Sequence, residues 1–138
     1  MNDFHLFQAA QSISMKSSYT GSSKAHLGCV VVYKRTILAN GYNSNKTHPM
    51  QAKYNRLRYK NDSRYLPPKV HAEIAALSKI KYLDIDFSKV HLYIYRELKG
   101  GTKALARPCA ACLSAIKEMG IKHIHYTTYD GYAYEKLD

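Results

Sequence analysis

At 138 residues, 46% hydrophobic and 22% charged, the chain is long enough for one domain with its own core and too apolar for a disordered tail. The longest apolar run, residues 27–33, falls far short of the roughly 20 residues of a membrane span. With no signal peptide visible at its start, a soluble, cytoplasmic protein is expected. Lysine and arginine number 21 against 10 acidic residues, a formal +11 that favours anionic partners such as nucleotides or nucleic acid over neutral ones. Three cysteines are too few for a disulfide framework, and two of them stand in a C-x-x-C, which points to metal or redox chemistry.

In chain order, residues 3–16 predict an amphipathic helix, with Phe4, Phe7, Ala10 and Ile13 recurring every three residues behind Asn2 or Asp3 as a cap. Residues 17–25, rich in Ser and Gly, read as a loop. Residues 27–33 and 36–42 are β-branched, apolar runs split by Lys34-Arg35, the pattern of a hairpin. Residues 43–69 carry Lys46, Lys53, Arg56, Arg58, Lys60, Arg64 and Lys69 against Asp62 alone, which is over half of the net charge. With Pro49, Pro67 and Pro68 among them, they predict a long functional loop with at most one short helix. Helical spacing returns over 70–82, a strand over 90–95, and a Gly-containing loop over 97–107. A helix over 108–119 has Pro in its first turn and Gly120 just past its end. A strand over 121–129 and the Asp130-Gly131 turn lead into a short last strand over 132–135. The alternation predicts an α/β fold: one domain over 1–138, with a mixed sheet of about five strands covered by helices on both faces.

Two short motifs carry the chemistry. His71-Ala72-Glu73 opens one predicted helix, and Pro108-Cys109-Ala110-Ala111-Cys112 opens another. Cys109 and Cys112 are three apart, on one helical face, at an end where the helix dipole favours thiolates. Two thiolates and an imidazole suit zinc, and three protein ligands leave a fourth tetrahedral position for water, as a catalytic site requires. Glu73 stands roughly 200° around a helix from His71, poorly placed as a ligand but able to move protons near the open position. Either motif alone is ambiguous, since an isolated C-x-x-C serves structural zinc or redox chemistry equally well. Together, in this order, they form the H-x-E…P-C-x-x-C pattern of zinc deaminases.

On these motifs the chain resembles the cytidine and deoxycytidylate deaminase superfamily over about residues 4–127. The likeness includes Gly28-Cys29-Val30-Val31-Val32, Ala39-Asn40-Gly41-Tyr42-Asn43 and residues 116–124. It implies a three-layer α/β/α cytidine-deaminase-like fold, one zinc ion held by His71, Cys109 and Cys112, and Glu73 as proton shuttle. It implies also that Asn43 contacts the substrate sugar. Residues 97–106 lengthen the approach to the Pro-Cys motif relative to many members.

The reaction so implied is hydrolysis of cytosine to uracil and ammonia. Glu73 takes a proton from a water activated by the metal, the water oxygen attacks C4, and Glu73 returns protons to N3 and the departing amine. Three readings compete. A free cytosine nucleotide such as deoxycytidylate would be held by basic side chains, with Arg107 a candidate for its phosphate. Single-stranded DNA or RNA would follow the basic segment through Arg56, Arg58 and Arg64, with Tyr54, Tyr59 and Tyr65 stacking on bases. A non-catalytic zinc module would merely bind nucleic acid, against which Glu73 and the open position speak. The free nucleotide is preferred, and a homo-oligomer with no membrane partner is expected. Cys29 reads as a buried small hydrophobe, and His26, His123 and His125 as strand-edge or surface residues.

Overall fold

The sheet is built outward from β1 (His26–Tyr33), a strand with apolar residues on both faces. Val30 and Val32 face one layer, and Cys29 and Val31 the other. The computed structural model describes residues 2–17, 25–58 and 68–138, apart from the side chains of Leu57 and Arg58. β1 pairs antiparallel with β2 (Thr36–Tyr42) on one side and with β3 (His91–Glu97) on the other. β3 pairs parallel with β4 (His123–Thr127), and β5 (Tyr132–Lys136) closes antiparallel on β4. The described strands form one mixed five-stranded sheet in the order β2-β1-β3-β4-β5.

The hairpin turn falls at Lys34-Arg35 as expected. Both residues adopt positive φ, 50° and 65°, because a two-residue connection must match the right-handed twist of its strands.

Helix α1 (Asp3–Ser14) covers one face, burying Leu6, Phe7 and Ala10 against Val30, Val32, Tyr93 and Tyr95. Its first turn is capped by Asn2, whose side-chain oxygen accepts from the His5 N–H at 3.0 Å. The other face carries α2 (Pro49–Arg58), α3 (Ala72–Leu77) and α4 (Ala110–Glu118) over the larger core. Two glycines set the spacing of these layers. A Cβ at Gly28 would collide with the Ala10 carbonyl of α1, and one at Gly41 would reach the Ala75 side chain of α3 at 2.8 Å. Gly41 therefore fixes how closely the helix that follows His71 sits on β2.

Three elements differ from expectation. The helix allowed for in the basic segment is longer than a short turn: it is the ten-residue α2, whose buried face holds Met50, Gln51, Tyr54 and Asn55. Residues 59–67, with Tyr59, Lys60, Arg64 and Tyr65, lie outside the described residues. The third helix is shorter than its periodicity, because beyond Leu77 the bonds tighten to the i−3 type, Lys79 N–H to Ala76 O and Ile80 N–H to Leu77 O. Pro108 stands outside α4, since Cys109 is its N-cap in extended conformation. The added stretch before the Pro-Cys motif folds back on β3 through an antiparallel bridge between Glu97 and Lys103. It turns at Gly100 and Gly101, both at positive φ. Among the described residues, no helix is long and apolar enough to cross a membrane.

On the α1 face, three histidines meet across β3 and β4: His123 and His125, for which edge or surface positions were expected, and His91. His125 is only 6% exposed. Its Nε2 lies 2.9 Å from Nδ1 of His91, and its ring stacks on Tyr93 at 4.0 Å. His91 stacks on His123 at 4.2 Å. Burial drives His125 down to about 4, with His91 and His123 adding to the fall and Asp3 opposing it. The unfolded chain therefore takes up this proton first, so the stabilisation is complete above about pH 6.5 and is lost as pH falls toward 4. We expect on the order of 2 kcal/mol to disappear over that interval, after discounting for partial solvation. In melting curves against pH, His125→Phe should flatten the acid limb; parent and variant curves that stay parallel would exclude this origin.

Candidate active site

The two motifs begin two helices in the same way. His71 is the N-cap of α3 and Cys109 the N-cap of α4, and neither side chain makes the usual capping bond. Both instead turn toward each other. His71 Nδ1 lies 3.3 Å from Cys112 Sγ and 3.7 Å from Cys109 Sγ, and the three donor atoms all fall within 4.8 Å of one another. An imidazole and two cysteine sulfurs form a borderline-soft set suited to tetrahedral zinc. The Cys109 thiol is brought down to about 3, by the hydrogen bond from Cys112 first and by His71 next, against the effect of burial. A thiolate is the form that ligates a metal.

Glu73, in the first turn of α3, is 3% exposed. Burial pushes its carboxyl above the usual range; Cys109 adds to the rise, while His71 and a hydrogen bond from Cys112 oppose it. Its Oε1 has no hydrogen-bond partner among the described residues. A buried carboxylate oxygen without a partner is costly unless something in the site uses it. That orphaned acceptor beside three converging donors is what a metal and its water would satisfy. Cys29 is fully buried and stands outside this group; burial, and then the charge of Glu73, push its thiol up.

Residues 2–128 match the family model for the cytidine and deoxycytidylate deaminase zinc-binding region. The chain belongs to this deaminase family. The family's zinc requirement agrees with the converging His71, Cys109 and Cys112. In fold the chain is similar to the dCMP deaminase of the cyanophage S-TIM5, at 20% identity over 91% of this chain and 82% of that one, with a TM-score of 0.58. It is similar also to the cytidine deaminase of Burkholderia pseudomallei, at 16% identity over 99% and 93%, with a TM-score of 0.66. Guanine deaminase of Bacillus subtilis matches at 22% identity over 93% of this chain and 65% of that one, with a TM-score of 0.55. No curated protein matches the chain at a significant level.

The deaminase fold places the remaining candidates unevenly. Asn43, at the end of β2, is buried: its Oδ1 accepts from the Leu27 N–H at 2.9 Å and from the Ser17 hydroxyl at 2.6 Å. Its Nδ2 donates to the Ala25 carbonyl at 2.9 Å, which leaves one amide hydrogen uncommitted among the described residues. Tyr54 is not offered to a base. It is 6% exposed, and its hydroxyl donates to Glu118 at 2.9 Å. Arg107 is paired with a carboxylate that fits its fork. Its Nε and Nη2 donate to the two oxygens of Glu135 at 3.0 and 2.9 Å, with the Tyr126 hydroxyl joining at 3.2 Å. Arg56 is exposed, its Nε donating to the Lys53 carbonyl. The Arg58 side chain, Tyr59 and Arg64 lie outside what the structure describes.

Two partners of the deaminase site escaped sequence reasoning. Gln51 of α2 is fully buried and accepts from the His71 N–H at 2.9 Å. Glu135 of β5 anchors the arginine that precedes Pro108-Cys109. The signal for Gln51 was present: in Met50-Gln51-Ala52-Lys53-Tyr54-Asn55, positions 50, 51, 54 and 55 share one helical face, and a polar side chain on a buried face must have a partner.

Proposed function

We propose that this protein hydrolyses the exocyclic amine of cytosine in a cytidine or deoxycytidine nucleotide such as deoxycytidylate. His71, Cys109 and Cys112 hold one zinc ion, and Glu73 is the proton carrier. The observation that carries this reading is the buried Glu73, with its unpartnered Oε1 beside the three converging donors. Zinc in such a three-ligand site lowers the pKa of water at its open position. Glu73 Oε1 is the acceptor placed for that proton. The raised carboxyl can hold it and then release it to ring N3. A second proton passes from the water oxygen to the amine by the same carboxyl. One water is consumed, the C4–N4 bond breaks, and the uracil nucleotide and ammonia leave. Asn43 takes a sugar hydroxyl through its uncommitted amide hydrogen, and the segment from 43 to 69 supplies the positive field for the phosphate.

Single-stranded DNA or RNA is the competing substrate, favoured by the same concentration of charge. With Tyr54 buried and Lys53 3.7 Å from Glu118, that reading rests on Arg56, Arg58, Tyr59 and Arg64. The test is direct. Incubated with deoxycytidylate, cytidine and a cytosine-bearing oligonucleotide in turn, the zinc-loaded protein should convert deoxycytidylate to deoxyuridylate. A polynucleotide enzyme would instead act on the oligonucleotide, with log affinity falling against log salt at about −0.7 per phosphate contacted. Turnover of the oligonucleotide alone, with that slope, would replace the free nucleotide as substrate.

A further inference from the structure

We propose that Gln51 is a positioning residue for the metal: its buried side-chain amide fixes the backbone of His71 so that Nδ1 faces the two thiols. This rests on the zinc assignment above. His71 sits in extended conformation, φ −84° and ψ 158°, at the start of α3 and makes no side-chain cap. The bonds that hold its backbone help to decide where its side chain starts. The chain that enters it is paired: the Ser44 N–H donates to Val70 O, Val70 N–H to Lys46 O, and His48 N–H to Pro68 O. These bonds make a stem at the base of the basic segment that ends one residue before the ligand. The next N–H is that of His71 itself, and Gln51 Oε1 accepts it at 2.9 Å.

The Gln51 amide cannot rotate freely to give up this bond. Its Nε2 donates to Asn55 Oδ1, one turn along α2, at 2.8 Å. This fixes which end of the amide faces His71. The same helix is tied to α4, where the Tyr54 hydroxyl donates to Glu118 and Lys53 Nζ lies 3.7 Å from it. α2 thus spans from the helix start that carries His71 to the helix that carries Cys112, and Gln51 is its contact with the first. Groups that orient ligands in this way typically change metal affinity by about ten- to a hundredfold when removed.

The test compares Gln51→Met, which keeps the volume and removes the acceptor, with Gln51→Glu, which keeps an acceptor for the His71 N–H. Zinc affinity is measured by competition with a chromophoric chelator, and the ligand field by the visible spectrum of the cobalt-substituted protein. Gln51→Met should weaken zinc roughly tenfold or more and shift the cobalt bands, and Gln51→Glu should restore most of both. If Gln51→Met folds with the parent's affinity and spectrum, Gln51 merely fills the core and the proposal fails. If it does not fold, Asn55→Leu, which releases the Gln51 amide, is read in the same two assays; parent-like values there overturn the proposal equally. A parent protein that takes up no zinc would overturn the proposed function itself, whereas a parent that binds zinc indifferently to Gln51 overturns only the positioning role.

Discussion

Glu73→Gln should stop turnover while leaving the metal in place. The substitution keeps the shape of a side chain that is almost wholly buried and removes the group that exchanges protons. Loss of a positioned acid–base group costs on the order of 10²- to 10⁴-fold in rate. Because in the proposed mechanism one carboxyl serves the water, N3 and the amine in turn, the upper end is expected. Zinc content should stay at the parent level, since the proposed donors are His71, Cys109 and Cys112. Melting should be no lower than in the parent, because burial disfavours the charged carboxylate that the amide replaces. Ammonia release is the decisive measurement, and a Glu73→Gln protein that works at the parent rate would exclude the mechanism.

Cys112→Ser should have the largest effect on the fold. Cys112 is fully buried in the main core, and serine there offers a poorer zinc ligand and a hydroxyl in place of a small apolar group. The parent should carry about one zinc per chain, and the variant only a small fraction of that. Zinc that binds the folded chain at a hundred times its Kd adds about 2.7 kcal/mol by mass action, which for a chain of this size is roughly 10 °C in Tm. Chelator-treated parent should melt close to the Cys112→Ser protein, which ties the loss to the metal. Retention of a full zinc equivalent by the variant, measured by atomic absorption, would remove Cys112 from the ligand set.

Much of this fold was legible because local and global signals agree. The hairpin over 27–33 and 36–42 appears within a residue of its expected bounds, since its apolar runs and its two-residue connection point to one solution. The metal motifs were legible for a chemical reason: few residue types can hold zinc, and their spacing at helix starts narrows the choice further. What escaped notice depends on tertiary partners. Tyr54 interleaves with basic residues along the sequence, but on α2 it shares the inward face with Met50 and Gln51 while Lys53 and Arg56 point outward. Arg107 stands beside a metal ligand in sequence, yet its partner is Glu135, on a strand 28 residues away. His125 appears polar and peripheral until β3 and β5 bring His91, Tyr93 and Tyr134 against it. No single-chain periodicity encodes such pairings.

The stem formed by residues 44–48 and 68–70 bears on how such a chain can diverge. It closes the excursion that carries α2, and its last bond lies next to His71. Residues inserted between Arg58 and Pro68 would lengthen a connection whose ends are already held, and doubling the length of such a connection costs only about 0.6 kcal/mol of chain entropy. Neither helix start at the metal would need to shift. A change of chain length between the two sides of the stem thus costs little closure entropy, because the stem itself holds the entry to His71.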